Sequence, residues 1–477
     1  MDPIILLALG LAAVLGGILV LKLHPFLALL AAALLVATLT PELGLRNYAQ
    51  SKNLSESDTE KLVGQTIGKR VASALGSTAA KVGILIALAA IIGQCLLESG
   101  AADRIVRGFI AVFGEARAGL AFALSGFLLG IPVFFDTVFF LMIPLAKSLS
   151  LRTGKHYCRY ILAIIAGGSI SHSLVPPTPG PLLVAGELGV DIGRMIIAGI
   201  VIGAFVSASG YLYAIWFDKK FNIQVRESEP GQIDELKKLA DRNVNELPGL
   251  FISLCPIALP ILFVTAGTVI SSDFGKSFSG NWNPILLDTI RTLGDKIVAL
   301  AFGAAIAMGI LIQQKSQSLK DTMETIPPAL KDAGLIILIT SAGGAFGGIL
   351  QQTGIGPRLQ EVTGGMAIGL LPLAWFITAV VRVAQGSATV AMITAVGIVG
   401  GMADSGNLGY HPVYIAIAIG CGSKMLPWFN DSGFWVICKM SGFTEKETLK
   451  SFTPLLSIMG IVGLIITMIL AKIWPMI

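Results

Sequence analysis

Ten stretches of nearly unbroken apolar residues recur along the 477-residue chain, at 3–22, 24–40, 82–100, 159–191, 195–216, 248–270, 296–312, 334–350, 412–438 and 454–474. A bilayer core takes roughly 20 helical residues to cross, so the pattern predicts ten spanning helices. Two of them carry breaks. The run SISHSLVPPTPGPLLVAG (169–186) places four prolines at membrane depth, and 412–438 contains Pro427 followed by NDSG (430–433). Proline removes a backbone donor and clashes with the preceding turn, and main-chain groups freed in lipid survive only where protein or a water-filled cavity satisfies them. Two more apolar runs, Leu120–Leu149 and Gly369–Ala403, are interrupted in their middles by GIPVFFD and RVAQGSA. Each interruption fits the tip of a re-entrant hairpin. The polar stretches 41–81, 217–247, 271–295 and 313–333 read as loops, the second holding DELKKLADR, a short solvated helix.

The two halves resemble each other at a shift of 254 residues. Gly100 falls on Gly354, Arg104 on Arg358, and Tyr160, Gly168 and Ser169 on Tyr414, Gly422 and Ser423. FDTV at 135–138 lies opposite SATV at 387–390 after a two-residue slip, and PPTPG faces NDSG. If both hairpins return to the side they entered, five full crossings separate them, and an odd number inverts one repeat against the other. The expected fold is therefore an all-α polytopic membrane protein of two inverted repeats, each with a re-entrant hairpin and a broken transmembrane helix. The expected domains are N-terminal helices with an extracytoplasmic loop (1–81), a first repeat (82–216), a cytoplasmic linker with connecting helices (217–333) and a second repeat (334–477). This topology assigns 19 Lys and Arg residues to one side and 12 to the other. By the positive-inside rule the richer side is cytoplasmic, which puts both termini outside. Substrate held near the midplane by helix breaks from two inverted repeats is the architecture of a secondary transporter.

Composition agrees, with 54% apolar and 13% charged residues against about 25% charged in a soluble domain. The formal charge of +5 reflects membrane orientation and not nucleic-acid binding. The first span reads as a retained helix because another apolar run follows it instead of a cleavage site and a polar mature sequence. Five cysteines without paired spacing suggest neither zinc nor a disulfide framework, and no cofactor or metal is expected. HExxH, GxSxG and GxxxxGK[ST] are absent from the sequence, so zinc-protease, serine-hydrolase and P-loop readings lack their chemistry. A membrane-embedded enzyme and an ion channel stand as the competing classes.

An organic anion in low dielectric needs positive charge or oriented donors, and the N-termini of broken helices supply them. Gly180, Gly386 and Gly433 allow close backbone approach. Thr178, Ser387, Thr389 and Asn430 add polar partners, and Thr137, Pro177, Gln385 and Ser432 belong to the same interrupted segments. Intramembrane ionisable residues are functional candidates. Arg382 is the expected carboxylate clamp, because its guanidinium stays charged; Lys424 either shares that task or pairs with Asp431. Asp136, His172 and Asp431 are the candidates for proton coupling.

PVFFDTVFFLMIPLA, SHSLVPPTPGP, RVAQGSATVA and NDSGFW together resemble the gluconate permease (GntP) family of proton symporters, within the ion transporter superfamily. The resemblance runs across nearly the whole chain. It implies uptake of a gluconate-like sugar acid or hydroxy-carboxylate with a proton, by an elevator-like movement in the cell inner membrane or plasma membrane. Superfamily analogy implies a homodimer. Coupling to Na⁺, or a small amino acid as cargo, is the alternative. The chain departs from the family pattern at Thr178, at Lys424 and at Pro427, Trp428 and Phe429, which leaves gluconate itself open.

Overall fold

The computed structural model describes residues 1–221, 223–226, 246–271, 282–316, 318–355, 358, 369–403, 408–428 and 431–476; the segment DELKKLADR lies outside the described residues. All regular elements among them are helical. Seven helices are long and apolar enough to cross a bilayer, and two sharply bent pairs bring the number to nine.

The chain opens with α1 (Pro3–Leu19) and α2 (Pro25–Leu39), each begun by proline in the first turn and capped by the preceding side chain, Asp2 or His24. Proline suits that position because its missing N–H has no helical partner there anyway. The stretch 41–81, expected as a loop, is helical instead: α3 (Glu42–Ser51), α4 (Glu56–Val63) and the start of α5 (Ile67–Glu98). Arg46 ties α3 to α4 through Glu60 at 2.6 Å while also pairing with Glu42 of its own helix at 2.8 Å, and Thr66 caps α5 by accepting from Lys69 N–H. Hydropathy registers only the lipid-depth part of such a helix; the caps extend it into polar sequence.

After α5 come α6 (Ala101–Phe113), α7 (Ala118–Leu129) and α8 (Phe135–Thr153), then α9 (Tyr157–Leu174), α10 (Pro179–Glu187) and α11 (Ile192–Phe221). α12 (Leu250–Ser271), α13 (Pro284–Leu293) and α14 (Lys296–Lys315) follow. The remaining helices are α15 (Leu319–Gln351), α16 (Leu370–Gln385), α17 (Ala388–Ala403), α18 (Val413–Gly422), α19 (Ser432–Ser441) and α20 (Glu445–Ile473). α15 also begins in sequence that reads as loop, at a Ser318–Asp321 capping box. The matched glycines share their backbone: Gly100 ends α5 with φ 75° and Gly354 follows α15 with φ 78°, a left-handed conformation in which a Cβ is unfavourable.

The broken pair α9–α10 forms the centre, with 89% of its apolar segment buried, against 33–61% for the other long spans. Glycines let its neighbours meet it at backbone distance: a Cβ on Gly126 of α7 would lie 2.9 Å from the Ile164 carbonyl oxygen of α9. α15 crosses α17 in the same way, with a Cβ on Gly347 placed 2.7 Å from Gly397 Cα. Small residues at such crossings are how membrane helices gain packing contact without a hydrophobic driving force.

Candidate functional site

All four predicted interruptions fall between helices: at 130–134, 175–178 and 386–387, and between the end of α18 at Gly422 and the start of α19 at Ser432. They converge on a cavity of about 430 Å³. Asp136 and Thr137 enter from the first turn of α8, His172 from the last turn of α9, and Pro179 from the start of α10. Gly386, Ser387 and Thr389 come from the turn between α16 and α17, and Lys424, Asp431 and Gly433 from the break before α19. Gly386 has φ 85°, a conformation that lets the chain reverse at that point with little strain only when no Cβ is present.

Four helix N-termini, those of α8, α10, α17 and α19, therefore border the cavity. Some helices here are closed by side-chain caps, such as Ser55 on α4 and Thr444 on α20, although α3, α6 and α9 are not. At the cavity α8 and α10 likewise have no capping side chain. α8 thus leaves its first N–H groups, and both helices leave the positive ends of their dipoles, for whatever occupies the cavity; α10 begins Pro179-Gly180-Pro181, so of its first three residues Gly180 alone has an N–H. At α19 the Asp431 carboxylate accepts from Gly433 N–H at 2.7 Å, and at α17 the Ser387 hydroxyl accepts more weakly from Val390 N–H at 3.4 Å.

The charges are arranged with defined partners. Arg382, 4% exposed, donates through Nη2 to Asp431 and through Nε to the Ser423 carbonyl at 2.9 Å. Its Nη1 is buried without a partner. Asp431 is thus held by Arg382, and Lys424, for which pairing with Asp431 was one of two alternatives, reaches the cavity from the same break at 3% exposure. A Cβ on Gly433 would sit 3.2 Å from Asp431 Oδ1 and 3.8 Å from Asp136 Oδ1. Glycine is what allows the two carboxylates to flank one backbone position.

Other expected site residues lie elsewhere. Thr178 is buried with its hydroxyl donated to the Val175 carbonyl at 2.8 Å, which serves the bend itself. Gly180 packs against Met392 of α17. Pro177 lines a separate small apolar crevice facing Leu85, Pro260 and Leu300. None of these three borders the large cavity. Asn430, and the side chains of Gln385 and Ser432, lie outside the described residues.

A further wall escaped sequence reasoning. Asp332, Ile336, Ile339 and Thr340 of α15 border the cavity; their spacing of four, seven and eight residues from Asp332 puts them on one helical face. That spacing was present in the sequence, but Asp332 falls in the stretch that reads as loop. Ser169 of α9 also reaches the cavity.

The model of the family described as GntP family permease matches residues 58–473. An uncharacterized permease of Haemophilus influenzae is 35% identical over 84% of this chain and 82% of its own length. The inner membrane permease YgbN of Escherichia coli K12 is 32% identical over 98% of both chains, and a gluconate permease of Pseudomonas aeruginosa is 31% identical over 94% of this chain and 93% of its own. The crystal structure of the Alcanivorax borkumensis YdaH transporter is similar in fold, with a TM-score of 0.59 at 15% identity over 84% of this chain and 88% of that one.

Proposed function

The chain belongs to the GntP family of permeases, and from that premise we propose that it imports a small hydroxylated monocarboxylate of the gluconate type together with a proton across the cell inner membrane. The observation that carries the reading is the cavity at which the four breaks meet, bordered by open helix N-termini, by the cations Arg382 and Lys424 and by the carboxylates Asp136 and Asp431. Relatives named gluconate permeases and one named for the inner membrane supply the cargo class and the location.

Charge accounting favours a proton as companion. With the exposed rim residue Asp332 left to solvent, ionised Arg382, Lys424, Asp431 and Asp136 sum to zero, so a bound carboxylate leaves the inner site with one net negative charge. Moving that charge through a low-dielectric interior is costly. A proton taken up with the substrate, on Asp136, restores neutrality and lets the loaded site cross. We further read the two sets of breaks as inverted repeats, and the crossing as an elevator movement of the helices that carry them. The only exposed rim residue contributed by α15 is Asp332, toward that helix's N-terminal half, while Thr340 lies deep; on the proposed topology the conformation opens to the cytoplasm.

Purified protein in liposomes tests this. Gluconate should accumulate when an inward proton gradient is imposed and should not when a Na⁺ gradient replaces it at constant pH. Accumulation driven by Na⁺ alone would transfer the coupling to the other ion, and turnover of gluconate or an ohmic current would reinstate the enzyme or channel.

A further inference from the structure

Buried hydroxyls on membrane-depth helices normally satisfy themselves on the carbonyl one turn back, and many of those in this chain do. Thr378 donates to Ala374, Thr467 to Gly463 and Ser171 to Gly167. Two that border the cavity do not. Ser169, two residues before Ser171 on α9, is 4% exposed and its Oγ has no protein partner; Thr340, 0% exposed on α15, is in the same state, although Thr322 and Thr325 of that helix donate to Ser318 and Thr322. His172, one turn from Ser169 on the same face of α9, leaves Nδ1 buried and unpartnered, with its ring set edge-on to Phe134 at 6.1 Å. Orphaned hydroxyls also occur on Ser125, Ser341 and Thr394, none of which borders the cavity. What distinguishes Ser169, His172 and Thr340 is that three open polar groups, from two helices, share one cavity with the charged residues.

We propose that Ser169, His172 and Thr340 form the hydroxyl-recognising wall of the cavity and set its preference for hydroxylated over deoxygenated acids. The inference rests on the transport reading above. A hydroxyl both donates and accepts, and so do Ser, Thr and neutral imidazole, so this wall can pair with hydroxyls of either orientation. Arg382, Lys424 and the helix N-termini, which only donate, hold the carboxylate. A site built to bond a hydroxyl discriminates against an analogue lacking it, because its own buried groups are then left unpaired. His172 is on this view a ligand-positioning group, and the proton is left to Asp136.

The test is calorimetric binding of gluconate and of its 2-, 3- and 4-deoxy analogues to the purified transporter. Thr340→Val is nearly isosteric and should weaken gluconate about two- to tenfold. It should leave the affinity for one deoxy analogue unchanged, since that analogue has already lost the hydroxyl concerned. Ser169→Ala should do the same for a different analogue, Thr340→Ser should restore gluconate affinity, and Ser341→Ala should change nothing. Unchanged gluconate affinity in both Thr340→Val and Ser169→Ala, or an equal loss for every analogue, would overturn the assignment while the transport reading stands. A wild type that binds none of the four acids removes both.

Discussion

At the residue scale the decisive arrangement is the Arg382–Asp431 pair. A single exposed pair of this kind would matter little, but this one is buried beside a cavity, and removing one partner strands the other's charge. Arg382→Gln should therefore lower stability by roughly 3–5 kcal/mol, seen as a lower unfolding temperature, and also abolish substrate binding. The double variant Arg382→Gln/Asp431→Asn should regain most of the stability and none of the binding. A single variant as stable as the wild type would mean that the pair is not held away from water. Asp136 makes a different demand. As Asp136→Asn it mimics the protonated acid, so counterflow exchange should persist in liposomes while accumulation against a gradient is lost; intact driven uptake would move the proton to Asp431 or His172. Pro177 borders only the apolar crevice, so Pro177→Ala should leave substrate affinity within about twofold, a change at the small end of a single hydrogen bond's worth.

Elements explain why these residues meet. A continuous helix satisfies its own backbone and offers a ligand nothing but side chains; a helix that starts in the middle of the protein offers N–H groups as well. Four such starts surround one cavity, and the fifth wall, α15, is an unbroken helix that presents a polar and apolar face. Farther along, seven residues beyond Thr340 and so on the same helical face, its contact is a glycine. Gly347 meets Gly397 of α17 backbone to backbone, whereas Gly334, on the same helix, has nothing within 4 Å of the place a Cβ would take. Gly347→Ala should thus cost about 1–3 kcal/mol through overpacking, and Gly334→Ala should be neutral or slightly stabilising because alanine favours helix. Thermal unfolding of the two variants side by side checks the crossing, and equal effects would count against it.

For the molecule as a whole, the Lys and Arg distribution assigns sides, and chemical labelling tests it. With Cys255 replaced by Ser, a cysteine at Asn53 should react with a membrane-impermeant maleimide added outside intact cells, and one at Lys446 only after the cells are opened. Asp332→Cys should behave like the Lys446 variant, since the cavity rim faces the same side on the proposed topology, and substrate should slow its labelling. Labelling of the Asp332 variant from outside would reverse the direction in which the cavity opens.

The membrane and the positions of the four breaks were legible in the sequence alone, as were ten of the residues that line the cavity. These follow from local rules: apolar length, proline and glycine chemistry, and the cost of an ionisable group in lipid. The sequence also paired Gly100 with Gly354, which end helices under the same backbone constraint. Tertiary structure alone decided which partners the charges take. Asp431 lies seven residues from Lys424 and 49 from Arg382, yet it is Arg382 that holds it, because the breaks fold toward each other across the cavity. Tertiary structure likewise turned Thr178, Gly180 and Pro177 away from the large cavity and brought Thr340 to it. Which face of a bent segment looks inward depends on the helices packed behind it, and no spacing rule within the segment contains that information.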